Sequence, residues 1–187
     1  MSEIPRLTFE TLEPLLAAAL KPRVERLGYL GEFFRCMGHQ PGPLRAFIEF
    51  TESAKAPLEK RVVEVIALTV ATAKHNRYER HQHERLSVRS GLTREWVAEV
   101  EALTPTAARL MSADDVLIQK FVLAAIADAS AELAALREEV VAHLGAEQTV
   151  ALLMVIGRYV AHAVMVGALA LEPPVPSIFE DGFGLKA

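Results

Sequence analysis

The sequence predicts an all-α protein. Runs of Ala, Leu, Glu and Arg recur along the chain, and the apolar/polar alternation between turn signals that marks strands is absent. Half of the residues are hydrophobic (51%) and 24% are charged, the balance of a folded globular chain rather than a disordered one. A length of 187 residues suits one domain with a substantial core, or two very small ones. No low-complexity segment or linker divides the chain, so residues 1–187 are read as a single all-helical domain.

The elements follow from their start and stop signals. Thr8–Leu20 forms a helix that ends before Pro22, and Pro22–Met37 a second that stops at Gly38. The third begins with Pro43, in a first-turn position where a missing N–H costs nothing, and runs to about Ala54. Leu58–Ala73 is an apolar helix carrying one acid, Glu64. Asn76–Ser90 is rich in histidine and closes at Gly91, a left-handed stop. Thr93 is the N-cap of REWVAEVEAL, which Pro105 breaks. Ser112, with Asp115 three residues on, has the spacing of a capping box before VLIQKFVLAAIADA. Ser130 starts a further helix ending at Gly145, and the last long helix stops at Pro173 and Pro174. The tail, residues 173–187, reads as irregular and free to dock on a neighbour.

Composition also excludes function classes. Net charge is −4 with no long Lys/Arg block, which gives a nucleic-acid role little support. The single cysteine, Cys36, excludes an intrachain disulfide and a two-cysteine redox couple, and it fits a reducing compartment. The start, MSEIPRLTFETLE, lacks the charged-then-apolar order of a signal peptide, so a cytoplasmic location is expected. Val150–Leu171 is long enough to cross a bilayer. Arg158 and His162 near its middle argue instead for a buried central helix or one packed between subunits.

The chemistry concentrates in VVEVIALTVATA (Val62–Ala73) and KHNRYERHQHE (Lys74–Glu84). On one straight helix Glu64 and His83, 19 residues apart, would stand roughly 28 Å from each other. A chain reversal near Lys74–Arg77 brings them to similar heights on antiparallel helices. Asn76 is a good N-cap, Glu79 follows at capping-box spacing, and His75 and Asn76 are weak helix formers. Each residue also has a plain structural use. Glu64 can pair with Lys60 or Arg61 one turn earlier, Glu79 can cap its helix, and Glu79 with His83 can form a solvated i,i+4 pair. His81 points about 200° away from His83, toward the surface. Glu64, Glu79 and His83 show no strong metal-ligand spacing. Their combination is what argues for chemistry: burial disfavours a charged carboxylate, a nearby imidazole answers it, and that is the arrangement of an acid/base site.

Glu64, then Asn76, Glu79 and His83 at 12, 15 and 19 positions further on, followed by the turn Gly91-Leu92-Thr93, resembles the carboxymuconolactone decarboxylase and alkylhydroperoxidase D-like (AhpD-like) family. The likeness covers about Leu27–Leu103, strongest in the motif region 58–103, and more faintly the final helix. In the family's peroxidase branch, positions 12 and 15 form a Cys-x-x-Cys pair served by the glutamate and histidine. Asn76 and Glu79 stand there instead, which resembles the branch without cysteines. The resemblance implies an AhpD-like multi-helix orthogonal bundle with the motif on a helical hairpin. It further implies a homo-oligomer, trimer or hexamer with dimer an alternative, whose sites lie close to subunit contacts. The expected function is a non-redox acid/base enzyme acting on a small cyclic carboxylic acid or lactone. Glu64, Glu79 and His83 are its candidate catalytic residues, and Arg77, Arg80, Arg158 and His162 its candidate substrate ligands. Arg158 and His162 share a face at i,i+4; site and packing roles are equally open to them. No cofactor, metal, nucleic acid or membrane is expected. The alternatives are a peroxide-linked protein with a degenerate redox site, using Cys36 or an intersubunit thiol, and a non-catalytic helical oligomer.

Overall fold

The structure, a computed structural model, describes residues 4–127 and 130–180. The last part of the expected irregular tail, residues 181–187, lies outside them. Among the described residues eight α-helices run in order: α1 Pro14–Leu27, α2 Glu32–Met37, α3 Pro41–Lys55, α4 Lys60–Ala73, α5 Arg77–Arg89, α6 Arg94–Glu101, α7 Ala113–Ile126 and α8 Ser130–Ala168. Among the described residues there is no strand. The chain divides into two compact units, one ending at Ser53 and one beginning at Ala54.

In the first unit, Leu16 and Leu20 of α1 and Phe33 and Cys36 of α2 are buried. The Phe33 ring meets those of Phe34 and Phe47, with centroids 5.5 and 6.2 Å away. The helix boundaries differ from the expected ones: α1 starts later and passes straight through Pro22. The carbonyl that Pro22 leaves without a donor belongs to Ala18, which is exposed, so water can serve it and the usual proline penalty is softened. Gly28, at φ 79°, ends this helix.

The second unit is built around α4, which touches α5, α6, α7 and α8. Every residue from Val63 to Ala71 is buried, and each fully buried Val, Ile or Leu contributes about 1.5–3 kcal/mol of gross transfer free energy. Trp96, Val97 and Val100 of α6, Ile118, Phe121 and Val122 of α7, and Leu152, Val155, Ile156 and Tyr159 of α8 complete the core. The Ser112/Asp115 capping box forms as expected. Arg61 does not pair with Glu64; its guanidinium is bound by Asp115, which also accepts from Trp96 Nε1 at 3.2 Å.

Gly145 has φ 79° and ψ 170°, a conformation that essentially only glycine adopts. It interrupts α8, so Ser130–Ala168 is two helical stretches that meet at Gly145, as the sequence leads one to expect. Glu132–Ala168 is apolar and long enough to cross a membrane by length and composition, and 39% of its apolar 18-residue window is buried. Leu152, Val155 and Tyr159 face the core, while Val150, Leu153, Met154 and Val164 form an exposed stripe on the opposite side.

Candidate functional site

α4 and α5 form the hairpin. The turn uses His75 at φ 54°, and Asn76 N–H donates to Ala71 O at 2.7 Å. Asn76 then caps α5 by accepting from the Glu79 backbone N–H at 3.2 Å. The second half of the expected capping box is not made, because the Glu79 side chain turns inward instead.

The reversal lays α5 along α4 so that His83 Nδ1–H donates to Glu64 Oε2 at 2.8 Å. Ser87, one turn beyond, donates its hydroxyl to the same oxygen at 3.1 Å. On the other side of the imidazole, His83 Nε2 stands 3.1 Å from Tyr159 Oη and 3.4 Å from Glu79 Oε1. Glu79 in turn accepts from Arg158 Nη1 at 2.7 Å and lies 3.1 Å from His162 Nδ1. Asn76 Nδ2 approaches that same His162 nitrogen at 3.4 Å. Two carboxylates, two imidazoles, a phenol and a guanidinium thus form one connected network across α4, α5 and α8. Its members are nearly closed to solvent: Glu64 is 8% exposed, Glu79 6%, His83 5% and His162 3%.

Burial and neighbours pull the titrating groups in opposite directions. Burial works to raise the Glu79 carboxyl, but His162, Arg158 and His83 outweigh it and hold the group well below the ordinary carboxylate range. Burial works to lower His83, but the charge and hydrogen bond of Glu64, aided by Glu79, raise it above the ordinary imidazole value. For His162 burial wins, reinforced by Arg158 against the attraction of Glu79, and its pKa falls to about 4. At neutral pH His162 is therefore uncharged, and its Nδ1–H donates to the Glu79 carboxylate. His83 is the imidazole held toward the charged form, a proton carrier clamped between two acids.

Of the residues singled out in the sequence, Glu64, Glu79, His83, Arg158 and His162 come together. Arg77 and Arg80 do not join them. Arg77 is exposed at the start of α5 and borders two surface clefts; Arg80 faces Glu84, 3.4 Å away. His81, expected at the surface, is buried, with Nδ1 3.1 Å from Val175 O. The reason is the C-terminal segment, which folds back over that face of α5. Ser177 Oγ and Ile178 N–H donate to Glu84 Oε2 at 2.5 and 2.8 Å, and Arg85 and Arg94 donate to the Pro176 and Ile178 carbonyls. Two network members were not singled out beforehand, Ser87 and Tyr159. Ser87 lies four residues after His83, one turn further along the same face, and Tyr159 directly follows Arg158; these spacings are the signals that could have found them.

Among the described residues no set of three or more His, Cys, Asp or Glu side chains is arranged to hold a metal ion. The only cysteine, Cys36, lies outside the network on α2, and burial pushes its thiol up, away from thiolate character. The arrangement can store a proton on His83, stabilise that charge from both sides, and exchange the proton with Tyr159 or Glu79.

No curated protein matches the chain in sequence. Among the solved structures that share the fold are two with the following likeness. One is a protein of unknown function from Agrobacterium tumefaciens, described as a candidate antioxidant defence protein AhpD. It is 17% identical with a TM-score of 0.68, over 75% of this chain and 96% of that one. The other is a cysteine-to-alanine variant of the debrominase Bmp8 in complex with 2,3,4-tribromopyrrole, 15% identical with a TM-score of 0.74, over 92% of this chain and 91% of that one. At such identities the likeness is one of fold, an AhpD-like all-helical bundle. Residues 41–119 match the Carboxymuconolactone decarboxylase family, and within them lie Glu64, Asn76, Glu79 and His83. That segment thus resembles the carboxymuconolactone decarboxylase family, and it contains no cysteine.

Proposed function

We propose that the protein is a non-redox acid/base enzyme that decarboxylates or isomerises a small cyclic carboxylic acid or lactone. The observation that carries this reading is the buried His83, clamped between Glu64 at 2.8 Å and Glu79 at 3.4 Å, with no thiol in the motif. In a carboxylated unsaturated lactone, cleavage of the C–CO₂ bond leaves its electron pair in the ring, where it moves toward the carbonyl as an enolate. A proton then adds to carbon and restores neutrality. His83 supplies that proton, and Glu64 fixes the donor tautomer through Nδ1 and steadies the imidazolium. Tyr159 Oη, 3.1 Å from Nε2, is the neighbour that exchanges the proton with His83. Arg158 belongs to Glu79 and sets its charge, so the substrate carboxylate is held elsewhere.

The test is to supply 4-carboxymuconolactone and related unsaturated or β-keto cyclic acids and follow CO₂ release. Acid/base groups contribute about 10²–10⁴-fold, so His83→Ala, verified as folded by circular dichroism, is expected to lose that much. Equal turnover by wild type and His83→Ala on every accepted substrate refutes the assignment.

The same reading places the protein in the cytoplasm as a homo-oligomer. Its support is the exposed stripe Val150, Leu153, Met154 and Val164 on α8, on the helix that supplies Arg158, Tyr159 and His162; a second copy covering it would shelter apolar surface. Sedimentation equilibrium with Leu153→Glu checks this: a monomeric wild type rules it out.

A further inference from the structure

The network is closed to solvent, so any ligand that it serves must dock beside it. One cleft borders it at Asn76. It has a volume of about 190 Å³ and lies between the α4–α5 turn and the end of α8. Lys74, His75 and Arg77 line one side, and Ala163, Val166 and Gly167 of α8 line another. Asn76, which also borders this cleft, is buried and directs Nδ2 to within 3.4 Å of His162 Nδ1. Asn76 therefore faces both the cleft and the network.

We propose that this cleft is the docking site for a small cyclic monocarboxylate, with the carboxylate on Arg77 and Lys74 and the ring on the Ala163–Val166–Gly167 surface. The inference rests on the acid/base reading and supplies its missing anion holder. Charge argues for it. Lys74 and Arg77 place two permanent cations at the rim against one exposed acid, Glu172, whereas the buried network is close to charge balance. An anion is thus drawn to the rim and not into the network. Geometry argues for it as well. Lys74 Nζ donates to the Ile126 carbonyl at 3.2 Å, which holds the ammonium in place with further protons to donate. His75 keeps a left-handed φ of 54°, backbone strain of the kind that recurs at ligand clamps, and borders the cleft as an exposed residue. Arg77 offers the planar fork that matches a carboxylate. The facing surface of α8 is small and uncharged, and a Cβ built on Gly167 would meet no atom within 4 Å, so there is open space for a ring.

The probe is benzoate, titrated into the full chain and followed by amide shifts in ¹H–¹⁵N spectra, with neutral benzamide as the control. Benzoate is expected to shift amides around residues 74–77 and 163–172, and benzamide to leave them in place. Arg77→Ala should weaken benzoate about 5- to 10-fold, equivalent to about 1–1.4 kcal/mol. Gly167→Leu, whose Cβ meets no atom within 4 Å and whose side chain extends into the ring seat, should abolish the shifts. Benzoate shifts that fall elsewhere, equal binding of benzamide, or full affinity in Arg77→Ala or Gly167→Leu each overturn the site. Binding is read without turnover, so the two claims fail separately. Benzoate bound here with no His83-dependent CO₂ release from any substrate sinks the chemistry; His83-dependent release with no benzoate binding sinks the cleft.

Discussion

Replacing Glu64 by Gln keeps the side chain's shape and removes its charge, which isolates the clamp on His83. In the native site the imidazole is 5% exposed and donates to Glu64 at 2.8 Å. Burial pushes His83 down, and the Glu64 charge and hydrogen bond are the chief forces raising it again. Opposite charges at such a separation attract by about 6 kcal/mol at an effective dielectric of about 20, and stripping one partner from a buried pair costs about 3–5 kcal/mol. A glutamine carbonyl still accepts a hydrogen bond, so the lower end, about 3 kcal/mol, is expected. For a chain of this size that corresponds to a Tm lower by about 6–12 °C. Calorimetry at several pH values and the His83 Hε1 resonance measure the two effects together. Because the folded pKa of His83 is raised, the stability that the clamp supplies is fully present below the unfolded value of about 6.5. It is lost as pH rises through the folded value, so the gap between wild type and variant narrows on the alkaline side. In the variant, His83 should titrate below the ordinary imidazole value rather than above it. A Tm within about 2 °C of wild type, with His83 titrating as before, refutes the reasoning.

Three further outcomes are expected. Tyr159→Phe removes only the hydroxyl 3.1 Å from His83 Nε2; it should cost about 1 kcal/mol in urea unfolding and shift the pH profile of any turnover, and an unchanged profile removes Tyr159 from the relay. Acidification from the unfolded His value of about 6.5 toward the folded His162 value of about 4 favours proton uptake by the unfolded chain, so stability should fall by about 3 kcal/mol over that window. Urea melts from pH 7 to 4 with His162→Gln, which should flatten the slope, check this; Glu79, held low, loses its own stabilising contribution only at more acid pH, as the pH falls through its folded value. Gly91→Ala, at φ 95°, should destabilise by about 1–2 kcal/mol, whereas Gly157→Ala within α8, where a Cβ meets nothing within 4 Å, should be neutral or stabilising by up to about 1 kcal/mol in thermal melts.

Local signals were legible where a side chain acts on its own neighbours. Asn76, Thr93 and Ser112 cap the helices that follow them, and Gly91 ends its helix in a left-handed conformation. The hairpin was legible for a different reason: it is the geometry that brings a carboxylate and an imidazole 19 residues apart into contact. What the sequence hid depends on long-range packing. Pro22 reads as a stop unless one knows that Ala18 is exposed. His81 reads as a surface residue because its partner, the Val175 carbonyl, lies 94 residues away. Ser87 joins through the hairpin itself, one turn past His83, but Tyr159 reaches the network only because α8 crosses the hairpin at that height, and no local pattern states where one helix crosses another. The same ignorance made Arg77 and Arg80 look equivalent, whereas α5 turns the first to an open cleft and the second to Glu84.

The replacements at the thiol positions explain the rest of the site. A pair of sulfurs at Asn76 and Glu79 would need a lowered thiol pKa and access for an oxidant. Here Asn76 spends its oxygen on capping α5 and turns its amide nitrogen to His162. Glu79 brings a permanent negative charge into a position that only cations can compensate. That charge accounts for Arg158 on α8, since an unpaired buried carboxylate would carry a penalty of several kcal/mol, and for the second clamp on His83. With Glu64 and Glu79 set against His83 and Arg158, the network is near neutral as long as His83 keeps its proton. Giving up that proton leaves an excess of negative charge in a dry site, so proton release is favoured only when an adjacent group gains electron density. A carbon acid losing CO₂ is such a group, and the charge count of the site, more than any single distance in it, is why acid/base chemistry is the activity to look for.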